Sequence, residues 1–372
     1  MVAPKVSSDD LSRIIAENPK ASNYDLAKKV SNEYQVDHRS IRRRLSRLRD
    51  AKNVNGASVY GTSTLYDENG DVKLQWVKQK QDNFEEQAKA YVQDLIAPVA
   101  PVKPRKAPRN THKDLMACIL MGDPHVGMLA WDEETGDNFD LKIAEADLRG
   151  AVNRLVESAP DASECLIANL GDYFHMDDRL NATPGSKNPL DVDGRYLKVM
   201  RVGIRTMKAL IERALEKFPT VRVRNVAGNH DPHSSITLTL TLSALYEKEP
   251  RVVIEDSPSP FWTFKFGQSL IGLTHGHQLK KPETMAQFLA VHDPKGWGST
   301  QYRHVWHGHI HHKRVQEVGG VVVESFRTLA GPDAWHVAEG YKAGREMVSI
   351  ILDRNYGEIE RHTSSLERSR HT

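Results

Sequence analysis

Only two cysteines, Cys118 and Cys165, occur in 372 residues, which excludes a disulfide-stapled scaffold. Both sit in apolar runs, LMACILMG and ECLIANLG, and read as reduced core thiols of a cytoplasmic protein. No apolar run approaches the ~20 residues that a membrane span needs, so no membrane partner is expected. The opening MVAPKVSSDD has no apolar core behind a positive start and is not expected to be a secretory signal. Internal repeats are absent. Aromatic residues make up 7% and the net charge is only +2. With 39% hydrophobic and 27% charged residues, this is the composition of a globular chain and not of a disordered one.

The small net charge conceals two different halves. Residues 1–112 hold 20 Lys and Arg against 14 Asp and Glu, and the remainder holds 31 against 35. Fifteen of the 17 histidines lie beyond residue 112. A basic front and a His-rich, slightly acidic body point to separate jobs.

Three short helices are expected over residues 7–50. SSDDLSRIIAEN offers Ser and Asp as caps and spaces Leu11, Ile14 and Ile15 helically. NYDLAKKVSNEY follows, with Leu26, Ala27 and Val30 on one face. Asp37 is placed to cap a third helix, HRSIRRRLSRLRDA, whose stripe is Ile41, Leu45 and Leu48. Six arginines crowd positions 39–49. Three small helices ending in an Arg-rich one form a helix-turn-helix-like pattern, and Arg39, Arg42, Arg43, Arg44 and Arg47 are the candidate nucleic-acid contacts. Residues 61–80 read as a β-hairpin turning at Asn69-Gly70. A helix over roughly 82–97 and the proline-rich, basic APVAPVKPRKAPRN then form a linker. The expected organisation is a mainly helical module with its hairpin over 1–80, a linker over 81–112 and a catalytic domain over 113–372.

From Leu115 onward strands and helices alternate. The runs MACILMG, CLIANLG, VRVRNVAG and SLIGLTHG each end in Asp, Asn, Gly or His, which gathers those loops at one sheet edge. AEADLRGAVNRLVES and GRYLKVMRVGIRTMKALIERALEKF read as covering helices. VVVESF, MVSIILD and GEIERH suggest a second sheet.

Five short motifs follow these strand ends: Asp123-Pro-His125, Gly171-Asp172-Tyr-Phe-His175, Gly228-Asn229-His230-Asp231, His275-Gly-His277 and Gly308-His309-Ile-His311. Carboxylates mixed with imidazoles suit borderline divalent metals. Period-two alternation is expected to point the Asp and His of the first motif, and His309 with His311, the same way. The glycines would let the backbone approach a phosphate. Each fragment alone is weak; all five in order form a specific signal.

This series, over roughly residues 115–315, resembles the calcineurin-like metallophosphoesterase superfamily. The resemblance implies an α+β, α/β-type four-layer fold, two packed mixed sheets flanked by helices. It implies one metal held by Asp123, His125, Asp172 and His311, and a second held by the shared Asp172 with Asn229, His275 and His309. Manganese is the first expectation, with iron, zinc or nickel as alternatives. His230 would protonate the leaving oxygen, with Asp231 orienting it. GDYFH is similar to the matching motif of SbcCD-type nuclease subunits, which nominates His175 near the scissile phosphate. The HGH segment and the lack of a long coiled-coil region depart from those nucleases. The body also looks like uncharacterised metallophosphoesterases of tailed bacteriophages, which would place the protein in host cytoplasm.

Arg179, Lys187, Arg195 and Arg327 are further candidates for substrate phosphates, His233 and His277 for facing substrate, and Trp131 and Trp297 for base stacking. The leading expectation is a metal-dependent phosphodiesterase, a nuclease on DNA, served by the basic module. The alternatives are a phosphomonoesterase or small-nucleotide phosphodiesterase with the module as tether, and a DNA-binding regulator with a vestigial catalytic fold.

Overall fold

A computed structural model describes residues 6–18, 21–34, 36–52, 58–66, 72–80, 112–332, 337 and 344–366. The chain divides into two compact units, Met1–Asp94 and Leu95–Thr372. The expected helix over 82–97, the linker that follows it and the Asn69-Gly70 turn lie outside the described residues.

In the first unit, α1 (Ser8–Glu17), α2 (Asn23–Tyr34) and α3 (His38–Lys52) enclose a small core of Leu11, Ile15, Leu26, Ala27, Val30, Ile41 and Leu45. Each helix begins where a short polar side chain satisfies a free amide. Ser7 and Asp10 form a reciprocal capping box on α1, Ser22 Oγ accepts from Asp25 N on α2 (3.1 Å), and Asp37 accepts from Ser40 N on α3 (2.7 Å). β1 (Ser58–Tyr66) and β2 (Val72–Lys80) pair antiparallel.

The second unit has four layers. A six-stranded sheet runs in the order β13-β12-β3-β4-β5-β6, made of β3 (His112–Met121), β4 (Ala162–Asn169), β5 (Thr220–Asn225), β6 (Val252–Glu255), β12 (Glu346–Asp353) and β13 (Gly357–Ser365). β3 to β6 are parallel. A five-stranded sheet runs β10-β11-β9-β8-β7, made of β7 (Trp262–Phe266), β8 (Ser269–Leu273), β9 (Tyr302–His307), β10 (Arg314–Val318) and β11 (Val321–Ser325). The last two strands, expected in the second sheet, instead complete the first: β12 lies antiparallel to β3, with Val348 opposite Leu120.

Strand parity explains the layering. Met116, Cys118 and Leu120 point between the sheets with Leu166, Ile271, Leu273, Trp306 and Ile350. Their neighbours Ala117, Ile119 and Met121 point the other way. That outer face is covered by α5 (Leu141–Ser158), α6 (Tyr196–Leu215) and α7 (Pro232–Tyr246), through residues such as Leu148, Leu210 and Leu238. The short α4 (Asp132–Thr135) precedes them. The five-stranded sheet is covered by α8 (Pro282–His292), through Met285 and Leu289, and α9 (Pro294–Gly298) follows. Parity also separates the cysteines: Ala117 pairs with Cys165, so Cys118 and Cys165 face opposite sides of one sheet as free thiols. Among the described residues no helix is long and apolar enough to cross a membrane.

Candidate metal centre

The loops following β3, β4, β5, β8 and β9 all leave the carboxyl ends of parallel strands, so the five motifs converge at one edge. Two groups of side chains form there with ligand atoms within 4.8 Å of one another: Asp123, His125 and His311, and Asp172, His275 and His309. A third group joins His125, His175 and His230.

Strand alternation does not aim these side chains. Asp123 (φ 47°), His125 (45°), Asp172 (48°), His309 (72°) and His311 (56°) are left-handed, and they are five of the seven non-glycine residues with positive φ among the described residues. Such backbone costs roughly 1–3 kcal/mol per residue and persists only where surroundings impose it. Here the site itself imposes it. His309 N donates to both Asp123 oxygens at 2.9 Å, His125 N donates to Asp172 O at 3.0 Å, and His230 N donates to Asp172 Oδ1 at 2.7 Å. The glycines leave room for the ligand side chains. A Cβ at Gly228 would lie 1.9 Å from Asp172 Oδ1, one at Gly171 2.3 Å from His275 Nδ1, and one at Gly308 2.6 Å from Asp123 Oδ2.

Asp123 and Asp172 are fully buried, yet among the described residues neither has a Lys or Arg partner. Asp172 Oδ2 meets His275 Nε2 at 3.1 Å, and Asp123 Oδ1 meets His311 Nε2 at 3.6 Å. Burial would raise the Asp172 pKa, but His275 and the surrounding imidazoles outweigh it and hold the carboxyl well below the usual range. Burial lowers His275, but the Asp172 carboxylate overcomes this and lifts it to about 9. Burial pushes His309 down to about 4 and His125 well down. Each pairing holds positive charge against a carboxylate, a task that divalent cations would perform better. Asn229 Oδ1 lies 3.0 Å from His275 Nε2, turned into the second group. His275 Nδ1 faces Leu170 O at 2.9 Å, which leaves Nε2 as its ligand atom. Both groups therefore carry donor types that suit divalent metal ions, and the backbone bond from His125 N to Asp172 O links the loops that bear them.

His230 is turned by a carbonyl: its Nδ1 lies 2.9 Å from His175 O. A carbonyl only accepts, so Nδ1 carries the hydrogen and Nε2 exchanges protons. Asp231, expected to orient this ring, does not touch it. Its carboxylate accepts from Phe174 N (2.9 Å), Gly228 N (3.0 Å) and Ser235 Oγ (2.7 Å), tying the β4 and β5 loops to α7. Burial and the neighbouring Asp172 lift Asp231 to about 6. His175, expected near the scissile phosphate, is buried with its Nδ1 3.1 Å from His125 Nδ1. Its ring also stacks on His230, with centroids 5.2 Å apart.

No family model and no curated protein matches the chain. Among solved structures, it aligns with an archaeal phosphodiesterase at 16% identity and TM-score 0.35, over 68% of this chain and all of that one. The phosphoesterase Yfce from E. coli aligns at 17% and 0.31, over 66% and 98%. A conserved uncharacterised protein of Streptococcus pneumoniae, a predicted phosphoesterase, aligns at 12% and 0.30, over 68% and 98%. Likenesses this low carry no argument about activity; the ligand geometry does.

The other nominated residues disperse. His277 is half-buried beside His275 and His309, with its Nδ1 unpartnered. Arg327 pairs with Glu346 at 3.1 Å. Trp297 packs under Arg303 at 4.4 Å, whereas Trp131 is exposed. Asp177 was missed. It is buried and grips the exposed His233, Nδ1 to Oδ2 2.5 Å. Its position two residues after His175 is the only signal the sequence carried.

Proposed function

We propose that the chain is a two-metal phosphodiester hydrolase acting on nucleic acid, with DNA as substrate. The observation that carries this reading is the pair of Asp/His groups brought together at one sheet edge around the buried Asp123 and Asp172 carboxylates. Asp123, His125, Asp172 and His311 would hold one ion, and Asp172, Asn229, His275 and His309 the other; manganese suits this set, as do iron, zinc and nickel. Such ions supply Lewis-acid polarisation of phosphoryl oxygens and ionise water at neutral pH. The protein's own residues do the rest. The backbone hydrogen bonds onto Asp123 and Asp172 hold the ligand atoms in place before substrate arrives. His175 fixes His125, and His175 O fixes the tautomer of His230. His230 Nε2 is the proton donor placed for a leaving oxygen.

Nucleic acid as the substrate is supported by the front unit. Arg39, Arg42 and Arg43 are exposed on α3, and Arg44 is half-buried. None of the four has an acidic partner among the described residues. Arg47 lies on the same helix. A surface of unpaired guanidinium groups is suited to phosphate contacts with counterion release.

The test is to offer Mn²⁺-loaded protein single- and double-stranded DNA, a bis-aryl phosphodiester and a phosphomonoester. Hydrolysis of both diester classes is expected, and turnover of the monoester alone would overturn the reading. In parallel, Arg42/Arg43/Arg44→Ala should weaken DNA binding and reduce its salt slope by about 3 × 0.9 if each contacts a phosphate. An unchanged slope would remove the front unit from substrate capture.

A further inference from the structure

We infer that the rim of the site beside His230 is a binding track for a nucleic-acid strand, with His233 holding a phosphate next to the scissile one. The inference rests on the hydrolase reading and adds a residue and a substrate length to it.

The His233 side chain is 82% exposed, yet it is pinned. Its Nδ1 meets Asp177 Oδ2 at 2.5 Å. Asp177 also accepts from His233 N (3.0 Å) and Ser234 N (2.7 Å). Those two amide bonds already cap α7, so the ring contact adds nothing to the cap. An exposed ring covers no core either, and fixing it costs conformational entropy. What the contact does is present Nε2 outward in one orientation. With Nδ1 held on Asp177, the outward Nε2 is the ring atom left for a phosphate oxygen, which it meets as Nε2–H in the imidazolium form.

The position is next to the chemistry. His230 hangs on the carbonyl of His175, and His233, three residues on, hangs on Asp177, two residues on. Arg179, two residues after Asp177, and Arg195, beside Tyr196, are both exposed, and neither has an acidic partner among the described residues. The Tyr196 hydroxyl lies 2.9 Å from Ser234 Oγ, which ties the start of α6 to the start of α7.

The same face of α7 continues from His233 to Ile236 and Leu240, at positions i, i+3 and i+7. These two are 49% and 60% exposed. Cations beside apolar side chains match a strand that alternates phosphates with sugars and bases. An inorganic anion or a small diester would leave the apolar part unused.

The experiment compares kcat/KM for a single-stranded 12-mer with that for bis(p-nitrophenyl) phosphate, using full-length Mn²⁺-loaded protein. In His233→Ala the oligonucleotide-to-diester ratio should fall about ten-fold, mainly through KM, as expected for losing a charge-assisted phosphate contact. Its salt dependence should become shallower. His233→Lys should restore much of the ratio, and Ile236→Ser/Leu240→Ser should lower it without changing the salt slope. An unchanged ratio in His233→Ala, or a 12-mer left intact while the small diester is hydrolysed, would overturn the track. Loss of both turnovers in the unmodified protein would instead overturn the hydrolase reading beneath it.

Discussion

Gly228→Ala is a one-carbon probe of the site. The added Cβ would lie 1.9 Å from Asp172 Oδ1, 2.3 Å from Asp172 N and 2.7 Å from Asp172 Cγ. Ordinary contact begins at 3.4 Å, so about 1.5 Å of relief is needed against the carboxylate and its backbone. Neither yields easily. Asp172 Oδ1 accepts from His230 N, and Gly228 N is held by Asp231 Oδ1. Overpacking of this kind costs about 1–3 kcal/mol, or roughly 2–12 °C in Tm at about 2–4 °C per kcal/mol for a unit of this size. Function should suffer more than stability, since a 1 Å misplacement at a reacting centre costs on the order of 10²-fold. Phosphodiesterase assays with Mn²⁺, differential scanning fluorimetry and metal titration calorimetry would read all three effects. Gly185→Ala is the control: nothing lies within 4 Å of its added carbon, and it should match the unmodified protein. Normal metal binding and turnover in Gly228→Ala would refute the packing of Asp172 against the GNHD loop.

Asp231→Asn turns one acceptor into a donor facing a buried N–H or hydroxyl. It should cost about 1–3 kcal/mol in urea unfolding. It should leave the His230 ring hydrogen bond to His175 O in place, which the ring's NMR tautomer signals would report. Cys118 and Cys165 lie on opposite faces of a sheet and burial raises both thiols. Both should therefore resist thiol reagents until the protein is denatured, then react with two equivalents, and reductant should not move Tm. A native disulfide by mass spectrometry would contradict the strand register.

The amphipathic parts of the fold were legible. The three front helices and α5 and α6 carry one-sided periodicity that burial explains, and the runs around Cys118 and Cys165 are continuously apolar because both faces of their sheet are covered. Strand placement was less so: β12 and β13 look like members of any sheet, and only the pairing of Val348 with Leu120 assigns them to the first. In α7, ITLTLTLS alternates like a strand. It is helical with Pro232 at its start and Asp177 capping it from another loop, and its Thr237, Thr239 and Thr241 hydroxyls are satisfied by carbonyls four residues earlier. The site's residue types were legible from order and spacing, but its aim was not. Five left-handed residues direct the cluster, and left-handed backbone at Asp or His leaves no mark in a sequence. The role of Asp231 depends on which atoms its carboxylate faces across the loops, and motif adjacency suggested the His230 ring instead.

The most direct measurement is anomalous diffraction at the manganese edge from crystals of the Mn²⁺-loaded protein, with Asp172→Asn alongside. Two peaks are expected, one among Asp123, His125 and His311 and one among Asn229, His275 and His309, both touching Asp172 and both weakened in the variant. A single peak, or peaks away from this edge of the sheets, would contradict the two-metal account.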